Sequence, residues 1–134
     1  MTSINEIEGI GPAFAAKLND AGVTTTDQLL EKGAAPAGRE ALVASTGIDA
    51  KLLLEWINHI DLERIKGIGW EYADLLEAAG VDTVPELAQR NAGNLHAKLG
   101  ELNAAKELVR RLPTADQVAT CVEEAKTLPR MITY

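Results

Sequence analysis

The chain has 134 residues, enough for one ordinary domain or two very small ones. Its hydrophobic fraction of 46% and charged fraction of 25% suit a globular protein. A net charge of −7 argues against general affinity for nucleic acid, because phosphate contacts come from Lys and Arg. No apolar run approaches the ~20 residues that span a membrane. The opening MTSINEIEG lacks the basic and apolar regions of a signal peptide. The single cysteine, Cys121, excludes an internal disulfide and a cysteine-based zinc site. A cytoplasmic protein, not attached to membrane, is the simplest expectation. The few aromatics (Phe14, Trp56, Trp70, Tyr72 and Tyr134) leave a core of Leu, Ile, Val and Ala. Charge is uneven: residues 1–61 carry a net −5, residues 62–134 a net −2. A polyanion site therefore fits the second half better.

In chain order, Ser3 and Glu6 form a possible capping box over a short first helix. Gly9-Ile10-Gly11 makes a tight turn, and Pro12 suits the first position of the next helix. That helix ends at Ala21, with Gly22 as a left-handed cap. Thr25 or Thr26 caps a short helix through Leu29 and Leu30, closed by Gly33. A helix follows over about 37–45, and Asp49 caps a longer one to about Ile60. Asp61 then starts a short helix, Gly67-Ile68-Gly69 turns, and a helix runs to Ala79, capped by Gly80. Thr83 and Glu86 form a second capping box. Helices near 94–101 and 104–112 follow, and Pro113 ends the unit. Thr114 and Gln117 open a last helix with Val118, Cys121, Val122, Ala125 and Leu128 on one face. No segment alternates with period two, so no sheet is expected.

An internal repeat organises these elements. Ile7-Glu-Gly-Ile-Gly-Pro-Ala-Phe-Ala-Ala-Lys-Leu18 returns as Ile65-Lys-Gly-Ile-Gly-Trp-Glu-Tyr-Ala-Asp-Leu-Leu76, at an offset of 58. At the same offset Ala21-Gly22-Val23 matches Ala79-Gly80-Val81, Thr25 matches Thr83, and Leu29 matches Leu87. Farther on, Gly47-Ile48-Asp49-Ala50 answers to Glu101-Leu102-Asn103-Ala104, at an offset of 54. The recurring pattern is an apolar residue, then Gly-Ile-Gly, then Ala and Leu. Two glycines one residue apart allow a sharp reversal. The isoleucine between them can plug a core, and the alanine lets two helices cross closely. Open backbone N–H groups at such a turn are an intrinsic anion site.

This pattern resembles the helix-hairpin-helix motif of DNA repair and recombination proteins. Gly22-Val-Thr-Thr-Thr-Asp-Gln-Leu-Leu30, followed by Gly47-Ile-Asp-Ala-Lys51, resembles the small N-terminal domain of eukaryotic RecA-like recombinases. It is also similar to the C-terminal domain of the bacterial RNA polymerase alpha subunit. The whole layout, with Leu128-Pro-Arg-Met-Ile-Thr-Tyr134 after it, looks like an uncharacterised bacterial family of two-hairpin proteins. The resemblance implies an all-α fold: two tandem five-helix, SAM-like helix-hairpin-helix domains, 1–60 and 61–113, plus a terminal helix and tail, 114–134. The short linker, 58–64, contains neither Gly nor Pro, which implies a fairly rigid pair.

The resemblance also implies a site. In DNA-binding members the amides near the second glycine hold a phosphate without reading sequence. Carried over, these are the amides near Gly9 and Gly11 and near Gly67 and Gly69, with Lys17 and Lys66 as basic helpers. The chain departs from that pattern: Glu6 and Glu8 flank the first turn, and Glu71 and Asp74 follow the second. A carboxylate there stabilises the helix but repels phosphate. Two readings therefore stand for each turn, a phosphate site or scaffold alone.

Other residues carry similar alternatives. Lys98, Lys106, Arg110 and Arg111, with Arg90 nearby, are the most basic stretch, and Lys106 and Arg110 share a helical face. They contact a polyanion or form a solvated face balanced by Glu101 and Glu107. Trp70 replaces Pro12 after the turn, either to stack on a base or anchor a partner, or to pack internally. Trp56 lies in an apolar run and belongs to the core. His59 and His96 have no partner at metal spacing, and no nucleophile or nucleotide fingerprint is present. The reading is a non-enzymatic module without catalytic residues, metal or cofactor. It binds nucleic acid weakly through Gly9, Gly11, Lys17, Lys66, Gly67, Gly69, Trp70, Lys106 and Arg110. The alternative is an acidic adaptor that binds a protein partner or forms a homo-oligomer.

Overall fold

A computed structural model describes residues 3–7, 10–106 and 112–133, apart from the side chains of Glu6 and Lys106. Every described element is helical: a 3₁₀ turn, Ile4–Glu6, and eight α-helices. These are α1 (Pro12–Asp20), α2 (Thr26–Gly33), α3 (Pro36–Thr46), α4 (Ala50–Leu62), α5 (Trp70–Ala78), α6 (Val84–Ala88), α7 (Ala92–Lys106) and α8 (Ala115–Thr127). An isolated bridge pairs Ser3 with Thr25. The chain divides into two compact units, Met1–Asp61 with Met131–Tyr134, and Leu62–Arg130.

In the first unit the apolar side chains of the repeat point inward. Ile10, Ala15, Leu18 and Val23 are buried, as are Leu29, Leu53 and Ile57 of α2 and α4. Each buried Leu or Ile contributes about 1.5–3 kcal/mol of transfer free energy. Phe14 meets Trp56 edge to face, with ring centroids 5.3 Å apart. Gly33 lets α4 come close: a Cβ there would collide with Ile57. Ser3 accepts from the amide of Asn5 at 3.3 Å and opens the 3₁₀ turn. Thr25 and Gln28 make a reciprocal capping box at α2. Gly47, at φ +72, ends α3, and Asp49 accepts from the amides of Lys51 and Leu52 to start α4.

The second unit has one continuous core. Ile65, Ile68, Ala73, Leu75, Leu76 and Val81 enter it from the repeat, joined by Leu95 and Leu99 of α7. α8 completes it with Val118, Val122 and Ala125, packing on α6 and α7. The box of Thr114 and Gln117 forms as the sequence implies.

The repeat is most faithful at the end of its long helix. Val23 N–H reaches Leu18 C=O at 2.8 Å and Gly22 N–H reaches Asn19 C=O at 3.0 Å. Val81 to Leu76, at 2.9 Å, and Gly80 to Glu77, at 2.9 Å, repeat both bonds. Gly22 and Gly80 sit at φ +88 and +87. This is the Schellman closure, which gathers the orphan carbonyls of a helix end. A cation completes it in both copies. Lys32 donates to Gly22 C=O at 3.4 Å, and Arg90, 58 residues later, donates to Ala79 C=O at 2.9 Å. Positive charge at a helix C-terminus is favourable.

Three expectations are corrected. Asp61 does not start a helix; it lies within α4, which runs on to Leu62. Thr83 makes no side-chain cap bond, and Glu86 turns instead to the amide of Asp82 at 3.1 Å. No break separates helices near 101–104, because α7 runs unbroken from Ala92 to Lys106. The reason is the residue answering to Gly47: Glu101 has a Cβ, so the left-handed stop that ends α3 is costly there. The expected helix over 104–112 lies partly outside the described residues.

Candidate functional site

The two Gly-Ile-Gly turns have different backbones. In the first, Gly11 takes φ +80 and ψ 160, a region open essentially to glycine alone. Its N–H donates to Ile7 C=O at 3.3 Å, and Ile10 N–H donates to the same oxygen at 3.1 Å. Pro12 follows as the first residue of α1 and has no N–H. The start of α1 therefore has one donor fewer than a helix that opens without proline. Gly9 lies outside the described residues.

In the second turn the left-handed residue is the first glycine, Gly67, at φ +94. Gly69 is extended at φ −99, ψ −172, which any residue adopts, and no atom lies within 4 Å of its Cβ position. Ile65 and the turn-closing bond from Ile68 N–H to Ile65 C=O, 3.2 Å, pin the turn to the core. Lys66, Gly67 and Gly69 face solvent. Among the described residues, no acceptor meets the amides of Gly67 and Gly69. Trp70, with an N–H where Pro12 has none, opens α5 and is half-buried.

A carboxylate already approaches this turn. Glu124 of α8 accepts from the backbone N–H of Lys66 at 3.4 Å. Fifty-eight residues separate them, so no local pattern announces the contact. The nearest hint in the sequence is the capping box that sets the start of α8. Beside the turn lies a cavity of about 320 Å³, lined by Lys66, Gly67, Tyr72, Leu95, Leu99 and Cys121 among others. Burial pushes the Cys121 thiol up, and the nearby Glu124 charge adds to the rise. A thiol raised in this way yields less of the reactive thiolate.

The other candidate residues do not converge here. Lys17 stands in the last turn of α1, its ammonium 5.7 Å from the Phe14 ring centroid. It is more than a full turn from Gly11, and its partner is an aromatic face. Lys98 is exposed on α7, and Arg90 is committed to Ala79 C=O. The Lys106 side chain, Arg110 and Arg111 lie outside the described residues. Lys66, Gly67, Gly69 and Trp70 are the candidates that the fold gathers. In the first unit His59 is buried, with Nδ1 2.8 Å from Glu55 C=O.

The described architecture defines an all-α protein built on an internal repeat. A family model described as a domain of unknown function, DUF4332, matches residues 8–128, and the chain belongs to that family. No curated protein and no solved structure matches it. Among the described residues, no helix is long and apolar enough to cross a membrane.

Proposed function

We propose that the protein is a non-enzymatic binding module of helix-hairpin-helix type. It holds the phosphate backbone of nucleic acid weakly, without reading sequence, at its second turn. The observation that carries this reading is the pair of open amides at Gly67 and Gly69, beside the exposed Lys66 and the start of α5. Backbone donors and a helix N-terminus favour an anion without base contacts. Trp70 adds a face on which a base can stack. Net charge −7, with Glu71 on the first turn of α5 and Glu124 at the Lys66 amide, keeps the affinity low.

The test is fluorescence anisotropy with labelled single-stranded and duplex DNA, at low and then physiological salt. One or two phosphate contacts imply a loss of up to ~10-fold across that change. Gly69→Asp places a carboxylate where the backbone accepts any residue, and it should abolish the binding while circular dichroism stays unchanged. Absence of binding at low salt sinks the reading.

A second reading is favoured by the apolar cavity beside the same turn: docking of a protein partner, or of another copy. Such binding persists or strengthens with salt, where phosphate binding falls.

A further inference from the structure

Phosphate binding at the second turn leaves the cavity of about 320 Å³ in the second unit without a role. Leu75, Leu76, Leu95, Leu99 and Val118 line it and are all buried, so it reaches into the core. Close-packed interiors leave few voids larger than a water molecule, and water held among leucines has few partners. An apolar molecule avoids that loss. The volume sets its size, being about twice the ~150 Å³ of an engineered apolar cavity that holds benzene. Such a space admits on the order of ten heavy atoms. The polar groups of the lining select the head group. Gln117 is held in the cap of Thr114, whose N–H it accepts at 2.8 Å. Thr120 gives its hydroxyl to Asp116 C=O at 2.9 Å. Lys66 and Asp116 carry opposite charges, and Glu124 already accepts from the Lys66 N–H. Neither sign of ion is favoured, and an ion loses hydration among leucines. Gly67 N–H is a donor on the lining that meets no acceptor among the described residues. Its complement is a neutral acceptor oxygen.

We propose that this cavity binds a small, neutral, apolar molecule with one acceptor oxygen, of the class of a medium-chain ketone. Its chain lies among Leu75, Leu95 and Leu99, and its carbonyl accepts from Gly67 N–H. A few convergent polar groups on an apolar pocket of ~300 Å³ or more are the general make-up of a small-molecule site. Cys121 forms part of the wall, so the bound molecule covers its thiol. The site does not require phosphate binding, and either reading can fail while the other stands.

The test uses the intact chain and methyl heptyl ketone as the probe. Cys121 is the single cysteine, so alkylation by iodoacetamide reports on this wall alone. The ketone should slow that alkylation saturably, with a dissociation constant on the order of 0.1–1 mM. In ¹⁵N and methyl NMR the same titration should shift Gly67 N–H together with Leu95 and Leu99. Nonanoate and nonylammonium, which have the same chain length, should bind at least ~10-fold more weakly. Leu99→Trp fills the cavity and should abolish the shifts. Thr120→Trp, at an exposed position on the lining, repeats the test if Leu99→Trp fails to fold. Absence of both protection and shifts up to the solubility of the ketone overturns the proposal. So does tighter binding of either ion, a set of leucine shifts that leaves Gly67 unmoved, or a folded, filled variant that binds like wild type.

Discussion

The two glycine turns share the sequence Gly-Ile-Gly and part company in the backbone. Both bury the central isoleucine, both place a buried alanine on the next helix turn, and both helices end in the same Schellman closure. Yet the left-handed residue observed is Gly11 in the first copy and Gly67 in the second. The first turn folds its second glycine's amide inward and puts a proline next. The second leaves its glycine amides outward and puts a tryptophan next. What the copies share is what packing requires. Where they differ is where the proposed phosphate site lies.

The shared part should break equally in both copies. Ile10→Ala and Ile68→Ala each empty a buried site and should cost about 2–5 kcal/mol in chemical denaturation. A loss confined to one of them would show that the repeat is not a common packing unit. The glycines should then separate the turns. Gly11→Ala and Gly67→Ala force a side chain into glycine backbone and should cost about 1–3 kcal/mol each. Capping distinguishes the copies at the next scale. Thr25→Ala removes a formed capping box and should cost about 1 kcal/mol. Thr83→Ala removes no cap bond and should lower the melting temperature less. The smallest effect belongs to Gly69. Its backbone is extended and its Cβ position open, so Gly69→Ala should leave stability unchanged or raise it by about 0.4–1 kcal/mol. A large loss there would erase the asymmetry of the turns.

Much of this was legible in the residues, because the signals are local. The 58-residue offset located both turns, both Schellman caps and the alanines that face the core. Thr25, Asp49, Thr114 and Gly47 marked real helix ends. The misreadings arose where a local signal competed with its surroundings. Thr83 and Glu86 have the spacing of a capping box, but Glu86 turns to Asp82. Asp61 looks like a helix start, yet α4 passes through it. A break expected near 101–104 has no glycine to make it. For the site, Lys66, Gly67, Gly69 and Trp70 could be named because they are neighbours in the chain. Lys17 stands in the last turn of α1, at the end of that helix away from the first turn. The approach of Glu124 to Lys66, and of Arg39 to Thr133, joins residues 58 and 94 apart. Only tertiary packing brings such pairs together.

The asymmetry of the turns is tested most directly by following backbone amides in ¹⁵N NMR while a short single-stranded oligonucleotide is added at low salt. The account predicts shifts centred on Gly67, Gly69 and Trp70, reversed by salt, with Gly11 and Ala13 unmoved. Shifts centred on Gly11, or no shift at either turn, would contradict it.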